Sequence, residues 1–105
     1  MKKYKVRITP DAKEDLRNIL AYLKNKYHNQ QAVKNVWDDY IQTRKTLERS
    51  AGSLQEPESE QLQERGLKRI NFLRHSYFML YEMEEETAVI VKVFHSLEDY
   101  ENKLK

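Results

Sequence analysis

Hydrophobic side chains recur along this chain with two different periods, and the change of period divides it into parts. From Tyr4 to Ile8 bulky residues alternate with charged ones, Tyr4, Val6 and Ile8 against Lys5 and Arg7, the two-residue period of a half-buried strand expected at a sheet edge. Thr9-Pro10-Asp11 then reads as a helix start: a hydroxyl to cap free amides, a proline where its missing donor costs nothing, and an acid at the positive end of the helix dipole. Ala12, Leu16, Ile19, Leu20, Leu23 and Tyr27 follow at helical spacing. The pattern breaks at His28-Asn29, where Asn29 can cap a second helix. Its stripe is Val33, Val36, Trp37, Tyr40, Ile41 and Leu47, with Trp37 expected in the core. Two such helices predict an antiparallel hairpin.

Residues 50–63 contain Gly52, Pro57 and few apolar anchors and are expected to form one long, mobile loop. The two-residue period then returns in three runs, Leu67 to Leu73, Tyr77 to Met83 and Thr87 to His95, all rich in β-branched and aromatic residues. The links Arg74-His75-Ser76 and Glu84-Glu85-Glu86 are short enough to return each strand beside the last, so an antiparallel meander is expected. Ser96-Leu97-Glu98-Asp99 has the form of a capping box and predicts a short C-terminal helix. The fold class is therefore α+β, with 105 residues forming one domain, 1–105.

Composition narrows the function. No window approaches the roughly 20 apolar residues of a membrane helix, and the N-terminus carries no apolar leader, so a cytoplasmic protein with no membrane contact is expected. The absence of cysteine excludes disulfides, thiolate catalysis and thiolate metal sites. A net charge of +2 is too small to argue for nucleic-acid binding by itself. The spacing of His28, His75 and His95 offers no ligand motif, so neither metal nor cofactor is expected.

Strict alternation sorts the meander into two faces. One, with Ile70, Phe72, Tyr77, Met79, Tyr81, Met83, Val89, Val91 and Val93, is apolar and suited to receive the helix hairpin. The other holds Arg69, Asn71, Phe78, Leu80, Glu82, Ala88, Ile90, Lys92 and Phe94, with no further helical layer in the chain to cover it. An exposed apolar patch beside cations marks a binding surface.

The order of elements, with the opening strand leading into Thr9-Pro10-Asp11-Ala12, the run Ser76-Tyr77-Phe78-Met79-Leu80-Tyr81 and the run Val93-Phe94-His95-Ser96-Leu97-Glu98-Asp99-Tyr100, resembles the RelE/ParE toxin superfamily of bacterial type II toxin–antitoxin systems. The resemblance implies a cognate antitoxin as partner and one of two activities. RelE-like members cleave messenger RNA on the ribosome, using cations and proton donors on the sheet; ParE-like members poison DNA gyrase by binding it. A third outcome is a non-toxic, antitoxin-binding module. Arg69 matches one basic position of the nuclease pattern, but Asn71 stands where a second is expected. Phe78 and Ser96 replace arginines, which moves the expectation toward the ParE-like branch. On the nuclease reading His95, Tyr100, Arg74 and Arg69 would be the phosphate clamp and proton-transfer groups. On the gyrase reading Phe78, Leu80, Ile90, Lys92, Phe94 and His75 would meet the target or partner.

Overall fold

The computed structural model describes residues 3–53 and 60–96. Strand β1 (Lys5–Ile8) leads into helices α1 (Pro10–Tyr27) and α2 (Gln30–Ser50), a 3-10 turn at Ala51–Ser53 and a short helix α3 (Glu60–Glu64). Strands β2 (Lys68–Asn71), β3 (Tyr77–Glu84) and β4 (Thr87–His95) follow. The sheet order is β1-β4-β3-β2, with β1 parallel to β4 and the other pairs antiparallel. The expected α+β arrangement of edge strand, helix hairpin and meander is present. The expected C-terminal helix falls at Leu97 and beyond, outside the described residues. Residues 50–63 are not wholly loop: α2 runs to Ser50, and helical turns occupy 51–53 and 60–64. Among the described residues no helix is long and apolar enough to cross a membrane.

The local signals act as their chemistry requires. Thr9 Oγ1 accepts the Ala12 amide at 3.2 Å, with Pro10 in the first turn of α1. α1 stops because His28 turns into the left-handed region, φ 49°, reversing the chain in two residues. Asn29 Oδ1 then accepts the Ala32 amide at 3.0 Å and starts α2.

The main core lies between the helix hairpin and one face of the sheet. Ala12 and Leu16 of α1 and Val36, Tyr40 and Leu47 of α2 meet Ile70, Phe72, Met79, Tyr81, Ala88, Ile90 and Val93. Each large aliphatic or aromatic side chain buried here contributes about 1.5–3 kcal/mol relative to exposure. Tyr81 enters this core with its hydroxyl satisfied, donating to the Ala51 carbonyl at 2.9 Å. Three stripe residues are not part of it: Val33 is half-buried, Trp37 remains 44% exposed beside Arg17 and Leu20 of α1, and Tyr27, at the end of α1, is 59% exposed.

Strict alternation fails in β4. Leu80 pairs with Lys92 but Tyr81 pairs with Ile90, so Val91 is an extra residue and the phase of the strand changes there. Ala88 and Ile90, expected on the open face, therefore face the helices. Val91, expected in the main core, packs on the opposite side. Val89 pairs with Glu82, so it too leaves the helix face.

Candidate functional site

The face expected to be open is not exposed. Phe78 and Leu80 are fully buried, and together with Leu67, Phe94 and the half-buried Val91 they form a second apolar cluster. Phe78 and Phe94 are cross-strand partners with ring centroids 5.6 Å apart. Arg69 lies on this side, its guanidinium 3.9 Å from the Phe78 ring centroid and its Nε donating to Asn71 Oδ1 at 2.9 Å. A half-buried cation of this kind is held by the ring quadrupole and serves packing as much as charge. Phe78, Leu80, Ile90 and Phe94 therefore do not form the exposed apolar patch expected of them: three of these side chains are buried in the second cluster, and the bulge moves Ile90 into the main core.

His95 and Lys92 come together elsewhere. β1 ends opposite Ile90, and past that point α1 flanks β4, with Asp15 Oδ2 accepting the Val93 amide at 3.1 Å in place of a strand partner. Between α1 and the ends of β3 and β4 lies an open cleft of about 850 Å³, whose lining includes Asn18, Tyr22, Tyr27, Tyr77, Lys92 and His95. His95 meets Tyr77 edge-on at 5.2 Å, and Lys92 Nζ is 3.9 Å from Asp11 Oδ2. Burial pushes the Tyr77 phenol above its ordinary value, and the nearby Tyr22 and Tyr27 phenols act in the same direction. It is a neutral donor at physiological pH rather than a base.

Arg74 and His75 occupy a third place, the turn between β2 and β3. There the structure reveals a residue that the sequence reading passed over. Asp39 of α2 is buried, and its carboxylate accepts three consecutive backbone amides: Leu73 at 3.0 Å on Oδ1, and Arg74 at 3.0 Å and His75 at 2.8 Å on Oδ2. His75 Nδ1 lies 2.6 Å from the same Oδ2, a geometry that places a proton on that ring nitrogen. Burial opposes the charge on Asp39. The hydrogen bonds from the His75 ring and from the Arg74, His75 and Leu73 amides outweigh it, holding the carboxyl below its usual range. The signal for Asp39 was present in the sequence: it falls on the inward stripe Val36, Tyr40, Thr43, Leu47, where an acid requires partners.

The expected site residues are thus distributed over four regions, Ile90 lying in the main core. Arg69, Phe78, Leu80 and Phe94 share the second cluster, His95 and Lys92 share the cleft, and Arg74 and His75 share the turn; Tyr100 lies outside the described residues. Among the described residues no three His, Asp or Glu side chains gather as a metal site.

Four strands in the order β1-β4-β3-β2 under a helix hairpin define a small α+β fold, and solved structures share it. A chromosomal ParDE toxin–antitoxin system from Pseudomonas aeruginosa superposes with TM-score 0.73 at 15% identity, covering 89% of this chain and 96% of that one. The toxin–antitoxin complex RelBE2 of Mycobacterium tuberculosis gives 0.61 at 24% identity, covering 93% and 97%. The isolated RelE toxin of Escherichia coli gives 0.51 at 10% identity, covering 96% and 95%. No curated protein sequence matches the chain. A family model described as the ParE toxin of the type II toxin–antitoxin system parDE matches residues 6–100. The chain belongs to that ParE toxin family, within the RelE/ParE superfamily, and is a toxin of the type II toxin–antitoxin class.

Proposed function

We propose that this toxin acts by binding a protein target, DNA gyrase, without covalent chemistry of its own, and that a cognate antitoxin neutralises it. The single observation that supports this reading is the dispersal of the proton-transfer candidates. Arg69 is stacked on Phe78 on one side of the sheet, His95 stands on the other side against Tyr77, and Arg74 projects from the β2–β3 turn. Cleavage of RNA through its ribose hydroxyl requires a base, an acid and a phosphate-binding cation around a single phosphodiester. Side chains on opposite faces of a sheet cannot supply them together. The antitoxin follows from family membership and from the toxin–antitoxin complexes among the structural neighbours. The deciding experiment is a supercoiling assay with purified gyrase. Inhibition with accumulation of cleaved DNA is expected, whereas full supercoiling at large protein excess, together with cut messages in a ribosome primer-extension assay, would replace gyrase binding by ribonuclease activity.

A further inference from the structure

The cleft between α1 and the ends of β3 and β4 is walled by aromatic rings and bordered by cations. We propose that it binds a nucleotide unit, with the base received by the tyrosine rings and the phosphate by Lys92 beside His95. Such a site is additional to gyrase binding and stands whatever the protein target is.

The helical wall comes from the C-terminal third of α1. Tyr22 and Tyr27 are 50% and 59% exposed, and their rings meet edge-on at 5.9 Å. The strand wall is Tyr77 with His95, also edge-on, at 5.2 Å. An edge-on pair leaves ring faces that the partner ring does not cover, so both walls keep aromatic surface for a flat ligand. The walls are near one another, since the phenols of Tyr22 and Tyr27 act on that of Tyr77. The volume of about 850 Å³ falls within the range of small-molecule sites.

The charges of the lining select what the rings receive. Lys92 Nζ stands 3.9 Å from Asp11 Oδ2, a long ion pair to a carboxylate that is 81% exposed, so the ammonium keeps donors for a closer anion. Asp15, the acid in the lining, already accepts the Val93 amide at 3.1 Å. Lys26 extends the cationic border, its Nζ 5.2 Å from the Tyr22 ring centroid. Asn18 adds both a donor and an acceptor, as the edge of a base requires. Stacking on an aromatic face accepts any base, and an ammonium holds phosphate by charge-assisted hydrogen bonds. A neutral sugar would leave these cations unmatched, and an acidic aliphatic peptide would leave the ring faces bare. A base joined to a phosphate uses both.

This chemistry has two sources, a free nucleotide and a unit of a single strand. The full chain is titrated with AMP and with a short deoxyadenylate strand, following backbone and ring signals by NMR; adenosine and ribose 5-phosphate carry the two halves separately. AMP is expected to move the signals of Tyr22, Tyr27, Tyr77 and Lys92. Tyr22→Ala, at an exposed position, is expected to weaken AMP and adenosine about tenfold, and Tyr27→Ala repeats that test. Lys92→Gln is expected to weaken AMP and ribose 5-phosphate about tenfold while sparing adenosine. Lys13→Gln, which removes a cation of α1 outside this cleft, is expected to change nothing. Tighter binding of the strand, lost in the same variants, assigns the site to nucleic acid; AMP bound more tightly than the strand assigns it to free nucleotides. Either result supports the proposal. Cleft signals that stay still at millimolar AMP and strand overturn it. So does binding that survives the tyrosine and Lys92 changes, or a loss at Lys13→Gln equal to that at Lys92→Gln, the mark of general attraction of anions to a basic protein.

Discussion

The meander makes two turns, and they are held by opposite means. The β3–β4 turn is closed within its own hairpin: Glu84 pairs with Thr87 and two residues join the strands, with the Lys5 amide of β1 donating to the Glu86 carbonyl at 3.0 Å alongside. The ion pair of Arg7 with Glu84 at 2.9 Å is exposed on both sides and contributes little. The β2–β3 turn depends on a residue more than thirty positions away, Asp39, whose carboxylate is removed from water and fully hydrogen-bonded. A glutamate-rich tip is thus the inert one, and a tip with a single arginine is anchored to a helix. Acidity alone says nothing about which turn matters; where the acid is solvated decides it.

Removing the anchor should break this contrast most severely. Asp39→Ala leaves three amides and an imidazole facing a buried void. It is expected to destabilise the fold by about 3–5 kcal/mol in chemical denaturation, the range for stripping one partner from a buried charged network. Acid should erase the same advantage. Because the folded carboxyl titrates below its unfolded value of about 3.9, its contribution is present above that pH and lost as pH falls through the lower folded value. The stability gap between wild type and Asp39→Asn should therefore be widest near neutrality and narrow below about pH 4. Equal gaps at both pH values would mean that the charge is not what anchors the turn.

A neutral buried bond offers a smaller comparison. Tyr81→Phe deletes the donor to the Ala51 carbonyl and should cost about 1 kcal/mol, well short of the loss at Asp39. The local turn should respond least and in the opposite sense. Glu85 sits at φ 56°, strained for a residue with a long side chain, so Glu85→Asn is expected to raise the unfolding free energy by roughly 0.5 kcal/mol in chemical denaturation. A loss of stability on that change would show that the two turns are less different than their contacts imply.

What could be read from the sequence was whatever is settled within a few neighbouring residues. Thr9, Pro10 and Asn29 announced the helix ends, and the strand runs lay within a few residues of their observed limits. The meander followed from the length of its links. The second cluster was misread as open surface because alternation reports which side a residue faces, not whether that side is covered. Helical spacing puts Trp37 on the stripe without telling how deeply each stripe position is covered, and it stays 44% exposed between α1 and α2. The stripe shows that Asp39 faces inward, but its pairing with His75, in a turn 36 residues further along, is a tertiary contact that no local pattern contains.

The extra residue at Val91 also has a consequence for how chains of this fold are compared. Upstream of it β4 sends Ala88 and Ile90 toward the helices, and downstream Val93, so the strand carries one alternation in two phases. Removing Val91 would leave Ile90 followed by Lys92 and Val93 in unbroken register with β3, every remaining side chain keeping its side. A relative whose fourth strand is regular therefore corresponds to this one only through a one-residue gap at Val91. Aligned without that gap, half of the strand would be matched inside out.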